Sequence, residues 1–298
     1  MMAATLDLTS DAALAWDTAA AGWDRHSGLI RTWLLAPTLA MLDAAGVRAG
    51  SRVLDVAAGA GDQSLDIAAR VGLRGRLLIT DLSAGILALA EHKLRAAGFT
   101  QVEVLQADAQ QLQLHLPGLG FDAAVCRLGL MFCTSPLLAL QGIHQALVPG
   151  GRFSGLVFAG PERNPCIATL GATAMRHAGL ASASPFKPGT LMSLGQPGLM
   201  HSLLAAAGFT DIHIRALDAP MRLPSVQHYL DFVRTAGLPI IAILAPLPAA
   251  VQAAAWQDIE SQLLRFNSAD GWVGPNELLL CTATRPVFGR AEPHGSDL

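Results

Sequence analysis

Short apolar runs alternate with amphipathic segments along the first half of the chain. Five of the runs have the length and apolar content of buried strands, at residues 53–56, 76–80, 102–105, 122–126 and 152–158. Segments with helical patterning separate them, and Ser83 and Ser135 are capping residues at the start of two of these helices. Strands that alternate with helices at this spacing predict a parallel, doubly wound sheet.

The second half of the chain predicts two more strands and two long insertions. The strands lie at residues 212–217 and 278–284, which brings the sheet to seven strands. Residues 161–198 are rich in proline and glycine, and residues 223–275 are largely helical by pattern. Both segments leave the sheet at the edge where ligands bind in doubly wound folds, so we expect them to cover a substrate.

The N-terminal segment, residues 1–45, is expected to close over the same edge. It is helical by pattern from residue 11 onward and contains three of the five tryptophans, Trp16, Trp23 and Trp33. The predicted fold is therefore α/β, with a doubly wound, seven-stranded, mostly parallel sheet and helical lid insertions. We predict one integrated domain: a lid segment at 1–45, a ligand-binding core at 46–160, and the remainder of the sheet at 161–298, where the last few residues form a tail.

Composition narrows the class of protein. The 298 residues have a formal net charge of −3 and only 14% are charged, so no basic tract indicates a nucleic-acid surface. Hydrophobic residues make up 52% of the chain, yet no apolar run reaches the roughly 20 residues of a membrane span. We therefore expect a cytoplasmic protein without nucleic-acid partner or membrane span, and we assign the apolar surplus to the core and a homodimer interface.

The cysteines indicate neither a disulfide framework nor a metal site. No C-x-x-C pair occurs, no secretory signal precedes the first helix, and the four cysteines are scattered at Cys126, Cys133, Cys166 and Cys281. We therefore predict a reduced protein without a bound metal.

The most informative motif is VLDVAAGAGD at residues 53–62. An apolar strand runs into a turn in which Gly59 and Gly61 allow a ligand to approach the backbone, and a helix follows. The dinucleotide-binding turn G-x-G-x-x-G has a different spacing, and Asp55 inside this motif would repel a pyrophosphate. A carboxylate at this position suits a ligand with cationic groups, such as S-adenosylmethionine with its ammonium and sulfonium.

Two further acids lie at the ends of the next two strands. Asp81 follows the second strand, 26 residues after Asp55, where a carboxylate can accept hydrogen bonds from both ribose hydroxyls. Asp108 and Ala109 follow the third strand, where a carboxylate and a backbone amide could bind an adenine edge. An unpaired carboxylate at the end of a buried strand is costly, which favours a ligand-binding role over a structural one.

Four motifs together resemble the class I S-adenosylmethionine-dependent methyltransferases, most closely the ubiquinone/menaquinone C-methyltransferase-like (methyltransferase type 11) family. They span residues 47–158 and are VLDVAAGAGD, the acid in LLITDLSAGIL, the ADAQQL segment, and FDAAVCRLGLMF followed by ALVPGGRF. Ala57 stands where the wider superfamily has glycine, and alanine is frequent there in the narrower family. The resemblance implies a Rossmann-like methyltransferase fold, S-adenosylmethionine as cofactor, and methyl transfer.

The resemblance also implies a role for individual residues. Asp55, Ala57, Gly59 and Gly61 would face the methionine part of the cofactor, Asp81 its ribose, Leu82 and Ile86 the adenine face, and Asp108 with Ala109 the adenine edge. Arg127 and Leu128, at the end of the fourth strand, would lie beside the reacting methyl.

Catalysis requires mainly that the acceptor atom lies in line with the methyl group, because a sulfonium is already activated. A base is needed only where the acceptor must lose a proton, and His26 is the first candidate because it lies in the tryptophan-rich segment; a capping or surface role is the alternative. Arg127 could bind an anionic or phenolate acceptor, or instead pair with Asp55 or Asp81. Both interpretations of each residue stay open at this point.

The acceptor is expected to be a small hydrophobic or aromatic molecule, such as a quinol, phenol, polyketide or similar secondary metabolite. Its predicted contacts are Trp23, Met131, Arg163 and Asn164. CRLG follows the fourth strand in place of an N-P-P-Y segment, which disfavours amine methylation on bases or glutamine. Two alternatives remain: a non-catalytic cofactor-binding partner subunit, and a nicotinamide-dependent oxidoreductase, against which the glycine spacing counts.

Overall fold

A computed structural model describes residues 8–116, 120–181 and 184–287. The predicted tail at 290–298 lies outside these ranges. The α-helices of the described part are α1 (Leu8–Arg25), α2 (Ser27–Ala44), α3 (Asp62–Val71), α4 (Ala84–Ala96), α5 (Leu112–His115), α6 (Pro136–Ala146), α7 (Pro165–His177), α8 (Leu199–Ala206), α9 (Val226–Ala236), α10 (Leu238–Leu244) and α11 (Ala249–Leu263). None of them is long and apolar enough to cross a lipid bilayer.

A seven-stranded sheet forms the centre of the protein. Its strands are β1 (Arg52–Val56), β2 (Arg76–Asp81), β3 (Val102–Gln106), β4 (Phe121–Arg127), β5 (Leu147–Phe158), β6 (Thr210–Asp218) and β10 (Glu277–Thr284), where β10 takes its number from its place along the chain. The spatial order is β3-β2-β1-β4-β5-β10-β6, and only β10 runs antiparallel to its neighbours. This arrangement confirms the predicted α/β fold and its mostly parallel sheet.

The main core lies between this sheet and the helices on both of its faces. The central strands β1 and β4 are almost completely buried, as continuous apolar runs predict for parallel strands covered on both sides. The fifth strand starts earlier than predicted, at Leu147, because Leu147 already pairs with Phe121 before a register shift at the Pro149-Gly150-Gly151 turn. Strand β5 therefore includes the turn that ends α6.

A second, antiparallel sheet was not predicted from the sequence. It consists of β7 (Met221–Leu223), β8 (Asn267–Ser268) and β9 (Gly271–Gly274), in the order β7-β9-β8. Trp272 anchors it, since the ring is fully buried, stacks on Tyr229 at 4.5 Å, and donates from Nε1 to the Leu263 carbonyl at 2.9 Å. Residues 223–275 are thus helical only in their first part, and strands this short carry too little pattern to be recognised.

Helix α1 packs against α4 and α9, and α2 packs against α3 and along β4, β5 and β10. The Asp17 carboxylate of α1 accepts hydrogen bonds from Ser83 Oγ and from the Gly85 amide at the start of α4. Lys93 of α4 bonds to Asp24 at 2.9 Å and to Ser27 Oγ at 2.6 Å, at the junction of the two helices. The lid predicted from the tryptophan-rich segment is therefore fixed to α4 by polar contacts.

The Asn164 side chain ties the start of α7 to the ends of two strands. Its Nδ2 donates to the carbonyls of Ala159, Gly160 and Glu277 at 3.0 to 3.2 Å, and its Oδ1 accepts from the Glu277 amide at 3.1 Å. The side chain is fully buried and is a partner of the Ala159 carbonyl and the Glu277 amide, whereas the Gly160 and Glu277 carbonyls also accept from backbone amides.

Replacing Asn164 with alanine should lower the free energy of unfolding by about 2 to 4 kcal/mol, because buried backbone groups lose their partners. Arg163→Ala is the matched control: its side chain is 64% exposed and pairs with Glu277 at 3.4 Å, so its loss should cost less than about 1 kcal/mol. Urea unfolding of both variants and the wild type measures these changes in the free energy of unfolding. Equal stability of the two variants would show that Asn164 does not hold the structure together.

Candidate active site

A cavity of about 290 Å³ opens at the carboxyl ends of the central strands. Backbone groups and carboxylates from the ends of β1, β2 and β3 line one end of it, and aromatic and aliphatic side chains line the other. The polar end includes Ala57, Ala58, Gly59, Ala60, Asp62, Gln63, Asp81, Leu82, Ile86, Asp108 and Ala109. This is the edge at which ligands bind in doubly wound folds.

The turn after β1 adopts left-handed backbone conformations at alternate residues. The angle φ is 54° at Ala57, 57° at Gly59 and 83° at Gly61. Gly61 is also required by packing, since a Cβ there would lie 2.9 Å from the Ala90 Cβ of α4. Leu128 has a φ of 59°. Ala57 and Leu128 thus adopt the left-handed conformation despite their side chains, and both line the cavity. Such strained residues occur typically at functional sites.

Asp55 lies beneath the turn and does not line the cavity. Its carboxylate is fully buried and accepts hydrogen bonds from Ser64 Oγ at 2.6 Å and Gln63 Nε2 at 3.2 Å, both on α3. Burial raises the pKa of Asp55 to about 6, against the opposing effect of these hydrogen bonds and of Arg127. Asp55 therefore does not contact the cavity directly, in contrast to the contact that the sequence predicts. It can act on a ligand only by holding the N-terminus of α3 in place and through its negative charge.

Asp81 lines the cavity at the end of β2, as predicted for a ribose ligand. Its Oδ2 accepts from the Gly59 amide at 3.0 Å, and its Oδ1 accepts from the Ser83 amide at 3.0 Å. Burial raises the pKa of Asp81, and the nearby Asp17 acts in the same direction. Each carboxylate oxygen has a second lone pair, so the group can still accept hydrogen bonds from two hydroxyls.

The predicted adenine-binding residues come together around the ends of β2 and β3. Leu82, Ile86, Asp108 and Ala109 all line the cavity. Asp108 accepts from the Gln110 amide at 2.9 Å, which orients its carboxylate at the start of a short 3₁₀ turn. The arrangement offers apolar surface for a flat ring and hydrogen-bonding groups at its edge.

Arg127 reaches the cavity from the end of β4. Its Nη1 donates to Thr38 Oγ1 of α2 at 3.0 Å, and this is the one hydrogen bond that the described residues give its guanidinium. Burial lowers the pKa of Arg127, while Asp62 and Asp55 raise it. Neither acid forms a hydrogen-bonded pair with it, so most of its five donors are free to bind a ligand.

Aromatic side chains from the lid close the cavity above Arg127. Trp16 meets the Phe132 ring edge-on at 5.0 Å, and Trp23 packs on Trp16 at 6.1 Å and on Phe232 of α9 at 6.3 Å. Trp23 and Met131, both predicted to contact the acceptor, line the cavity. These rings form an apolar wall of the cavity.

His26 is not among the residues that line the cavity. It lies where α1 meets α9, sharing a hydrogen bond with Thr235 Oγ1 at 2.8 Å and packing edge-on against Phe232 at 5.4 Å. Burial, together with Arg25, lowers the pKa of His26. This geometry fits a residue that holds the lid in position. It does not fit the catalytic base that the sequence predicts at His26, since the side chain does not reach the cavity.

Arg163 and Asn164 also lie outside the cavity lining. Arg163 is mostly exposed and pairs with Glu277, and Asn164 is fully occupied by the backbone groups described above. Their place at the start of an insertion predicts substrate contact. In the structure the Glu277 carboxylate pairs with Arg163, and backbone groups at the strand ends bind Asn164.

Apart from Trp33 of the tryptophan-rich segment, the residues at the apolar end of the cavity are not identifiable from the sequence. The residues at this end come from α2, β5, α7, β7, α9, α10 and the residue before β10, and include Trp33, Phe158, Leu170, Met221, Tyr229, Phe232, Val233, Ile240 and Asn276. The insertions had been predicted to form a lid, yet no motif distinguishes these positions from ordinary core residues. Only the fold brings them to one place.

Titratable groups are few at this end. Burial raises the pKa of Cys133 to about 12 and raises that of Tyr229 as well, so both are neutral near pH 7. Histidine is absent from the lining among the described residues. The same ranges contain no group of three or more residues that could hold a metal ion.

Comparison with known proteins supports the motif-based placement. The ubiE/COQ5 methyltransferase family matches residues 34–170, which contain β1 to β5 and the polar end of the cavity. The ubiquinone/menaquinone biosynthesis C-methyltransferase UbiE of Coxiella burnetii (strain Dugway 5J108-111) is 36% identical over 127 residues, 42% of this chain and 50% of that protein. The chain thus spans about half the length of the curated relatives it matches.

Solved structures show the same fold at low sequence identity. The YcgJ protein from Bacillus subtilis has a TM-score of 0.56 with 17% identity, covering 84% of this chain and 97% of that one. The phosphoethanolamine N-methyltransferase 2 of Haemonchus contortus, in complex with phosphomonomethylethanolamine and S-adenosylhomocysteine, has a TM-score of 0.53 with 16% identity, covering 88% and 58%. Residues 34–170 are thus similar to the ubiE/COQ5 methyltransferase family, as the motifs predict, and the solved structures share the fold of this chain.

Proposed function

We propose that this protein transfers the methyl group of S-adenosylmethionine to a small hydrophobic or aromatic acceptor. The observation that carries the proposal is the continuous cavity, in which a polar nucleoside-binding end joins an apolar chamber. A cofactor-binding subunit without activity would need only the first part. A nicotinamide-dependent oxidoreductase is disfavoured by the turn after β1 and by the matched family.

The residues at the polar end fit the cofactor. Asp81 would hold the ribose, Leu82 and Ile86 the adenine face, and Asp108 with Ala109 the adenine edge. The α3 N-terminus, with Asp62 and Gln63 in the lining, would meet the methionine part. When bound there, S-adenosylmethionine supplies an electrophilic methyl group on a sulfonium.

The remaining residues position the acceptor and exclude water. Trp16, Trp23 and Phe232 cover the space beside Arg127, so that the nucleophile meets the methyl in a dry, aligned pocket. Arg127 would bind an anionic oxygen of the acceptor, such as a phenolate, and lower the cost of its ionisation. His26 holds α1 against α9 and would act on the reaction through the lid.

Oligomeric state, location and metabolic role are proposed from the sequence. A homodimer is proposed from the apolar surplus, a cytoplasmic location from the reduced cysteines, and a role in secondary metabolism from the predicted acceptor class. Light scattering at micromolar concentration would test the first of these directly.

S-adenosylhomocysteine should bind the purified protein with micromolar affinity. Asp81→Asn should weaken this binding by about 10- to 100-fold, because a charge-assisted hydrogen bond to ribose is lost. Asp122→Asn is the matched control: it accepts from the Arg52 amide at 2.8 Å, at the opposite edge of the sheet, and should leave the affinity unchanged within about twofold. Isothermal titration calorimetry measures both. If the folded, ligand-free wild type does not bind S-adenosylhomocysteine, the methyltransferase proposal is wrong.

The affinity for S-adenosylmethionine relative to S-adenosylhomocysteine should rise between pH 5 and pH 7. Asp55 has a pKa of about 6, so it ionises across this interval, and its negative charge then favours the sulfonium, which only S-adenosylmethionine carries. The ratio of the two dissociation constants cancels groups that see both ligands alike, such as Asp81. Asp55→Asn should flatten the pH dependence of the ratio. A ratio that is constant with pH in the wild type would argue against an electrostatic role of Asp55.

Arg127→Met should raise the KM for the acceptor about tenfold or more and leave S-adenosylhomocysteine binding within about threefold. The acceptor for this measurement is a phenol or quinol found by screening for S-adenosylhomocysteine formation. Thr38→Val is the control, since it removes the protein partner of Arg127 but keeps the guanidinium. If the Arg127 variant instead loses S-adenosylhomocysteine binding, its role lies with the cofactor.

A further inference from the structure

One amide group stands out in the apolar wall of the cavity. Asn276 lies just before β10, lines the cavity and is only 6% exposed. Its backbone carbonyl accepts from the Ala219 amide at 2.8 Å, and its side-chain Nδ2 donates to the Gly274 carbonyl at 3.1 Å. The neighbouring wall is made of apolar side chains such as Met221 and Phe158.

The Gly274 carbonyl determines which way the Asn276 amide points. With the amide reversed, two oxygens would face each other at hydrogen-bonding distance, so Nδ2 must lie on the Gly274 side. Oδ1 therefore points away from Gly274, and no donor among the described residues bonds to it. It is also not sealed off, in contrast to Trp23 Nε1, which is buried without a partner. The oxygen is accessible from the cavity.

Asn276 is remote from the place where the methyl group would react. Arg127 pairs with Leu156 of β5, which pairs with Leu280 of β10. Asn276 thus lies two strands away from Arg127 across the sheet, a distance of roughly 10 Å. It also lies four residues beyond Leu280 in the strand direction, a distance of roughly 13 Å.

Between these two points lie the rings of Trp33 and Phe158, stacked at 6.3 Å with an angle of 26°. The Trp33 ring is held by its own hydrogen bond to the Ala219 carbonyl at 2.6 Å. Both rings line the cavity, and the Trp33 ring is linked to the Asn276 backbone through Ala219.

We propose that Asn276 determines specificity by binding the end of the acceptor that is remote from the methylated atom. The acceptor is then an elongated, mostly apolar molecule of two or more rings, whose far end carries a hydroxyl or amine that donates to Oδ1. An acceptor without this donor would leave a buried carbonyl oxygen unpaired, which is the basis of discrimination. The inference rests on the proposed function, because it assumes that the polar end holds the cofactor.

Three biphenyls of similar length test the inference: 4-phenylphenol, 4-methoxybiphenyl and 4-methylbiphenyl. Only the first can donate a hydrogen bond. Quenching of tryptophan fluorescence, with protein saturated with S-adenosylhomocysteine, gives the affinities, since Trp16, Trp23 and Trp33 line the cavity. The wild type should prefer the phenol over both analogues by about five- to twentyfold. Asn276→Leu should reduce this preference to less than about twofold, and Met221→Leu, on the same wall, should retain it.

Calorimetry with S-adenosylhomocysteine separates the two proposals. Absence of that binding in the wild type would remove the proposed function. If S-adenosylhomocysteine binds normally, three results would overturn the role of Asn276 alone. These are no preference for the phenol, no affinity for any of the three biphenyls, and a preference that survives in Asn276→Leu. Because Arg127 could also bind the phenol oxygen, the comparison of phenol and methoxy compound is repeated in Arg127→Met. A preference that persists there supports Asn276, and a preference that disappears there overturns its role, even if the Asn276 variant does not fold.

Discussion

The burial of two carboxylates at adjacent strand ends constrains the rest of this site. Asp55 and Asp81 lie on neighbouring strands, where Asp55 pairs in register with Ile79, and both are largely removed from water. An unpaired carboxylate there would be costly, so each recruits hydrogen-bond donors from the neighbouring turn and helix. Asp55 takes Ser64 and Gln63 from α3, and Asp81 takes the Gly59 amide from the turn in between. Helix α3 and the turn are therefore held by the same two charges.

This arrangement determines the local backbone. The turn must rise from β1, pass Asp81 closely enough for the Gly59 amide to donate to it, and reach the start of α3, which requires the left-handed conformations at Ala57 and Gly59. The next loop packs directly on it: a Cβ at Gly129 would lie 2.4 Å from the Ala57 Cβ. Leu128 beside it is also left-handed. The strain thus lies where the β1 and β4 loops form the wall of the cavity, and the strand pairing beneath them sustains it.

The residues that sequence analysis placed at this site and that line the cavity share a local signal. Asp81 and its counterparts at the polar end follow buried strands within a few residues, so the strand pattern and the turn chemistry suffice to find them. The role of His26 depends on Thr235, 209 residues away along the chain, and no local pattern encodes that contact. Asn164 has the same character, because its partners include Glu277 of a strand 113 residues distant. The apolar chamber is least predictable, since Met221 and its neighbours have the pattern of core residues and only the packing of the insertions turns them toward a cavity.

The apolar character of this chamber has a chemical consequence for an enzyme that would hold a methylating agent. A sulfonium can alkylate a strong nucleophile such as a thiolate or phenolate, and Cys133 and Tyr229 line the same cavity as Asp81. Burial raises the pKa of the Cys133 thiol to about 12, so only on the order of one thiol in 10⁵ is ionised at pH 7, and the Tyr229 phenol is kept neutral in the same way. The low polarity that excludes water therefore also suppresses the protein's own nucleophiles. Arg127 is the one cationic side chain in the described lining, and an acceptor oxygen placed beside it is ionised more readily than either residue. Selectivity for the acceptor over the protein then follows from where the single positive charge lies.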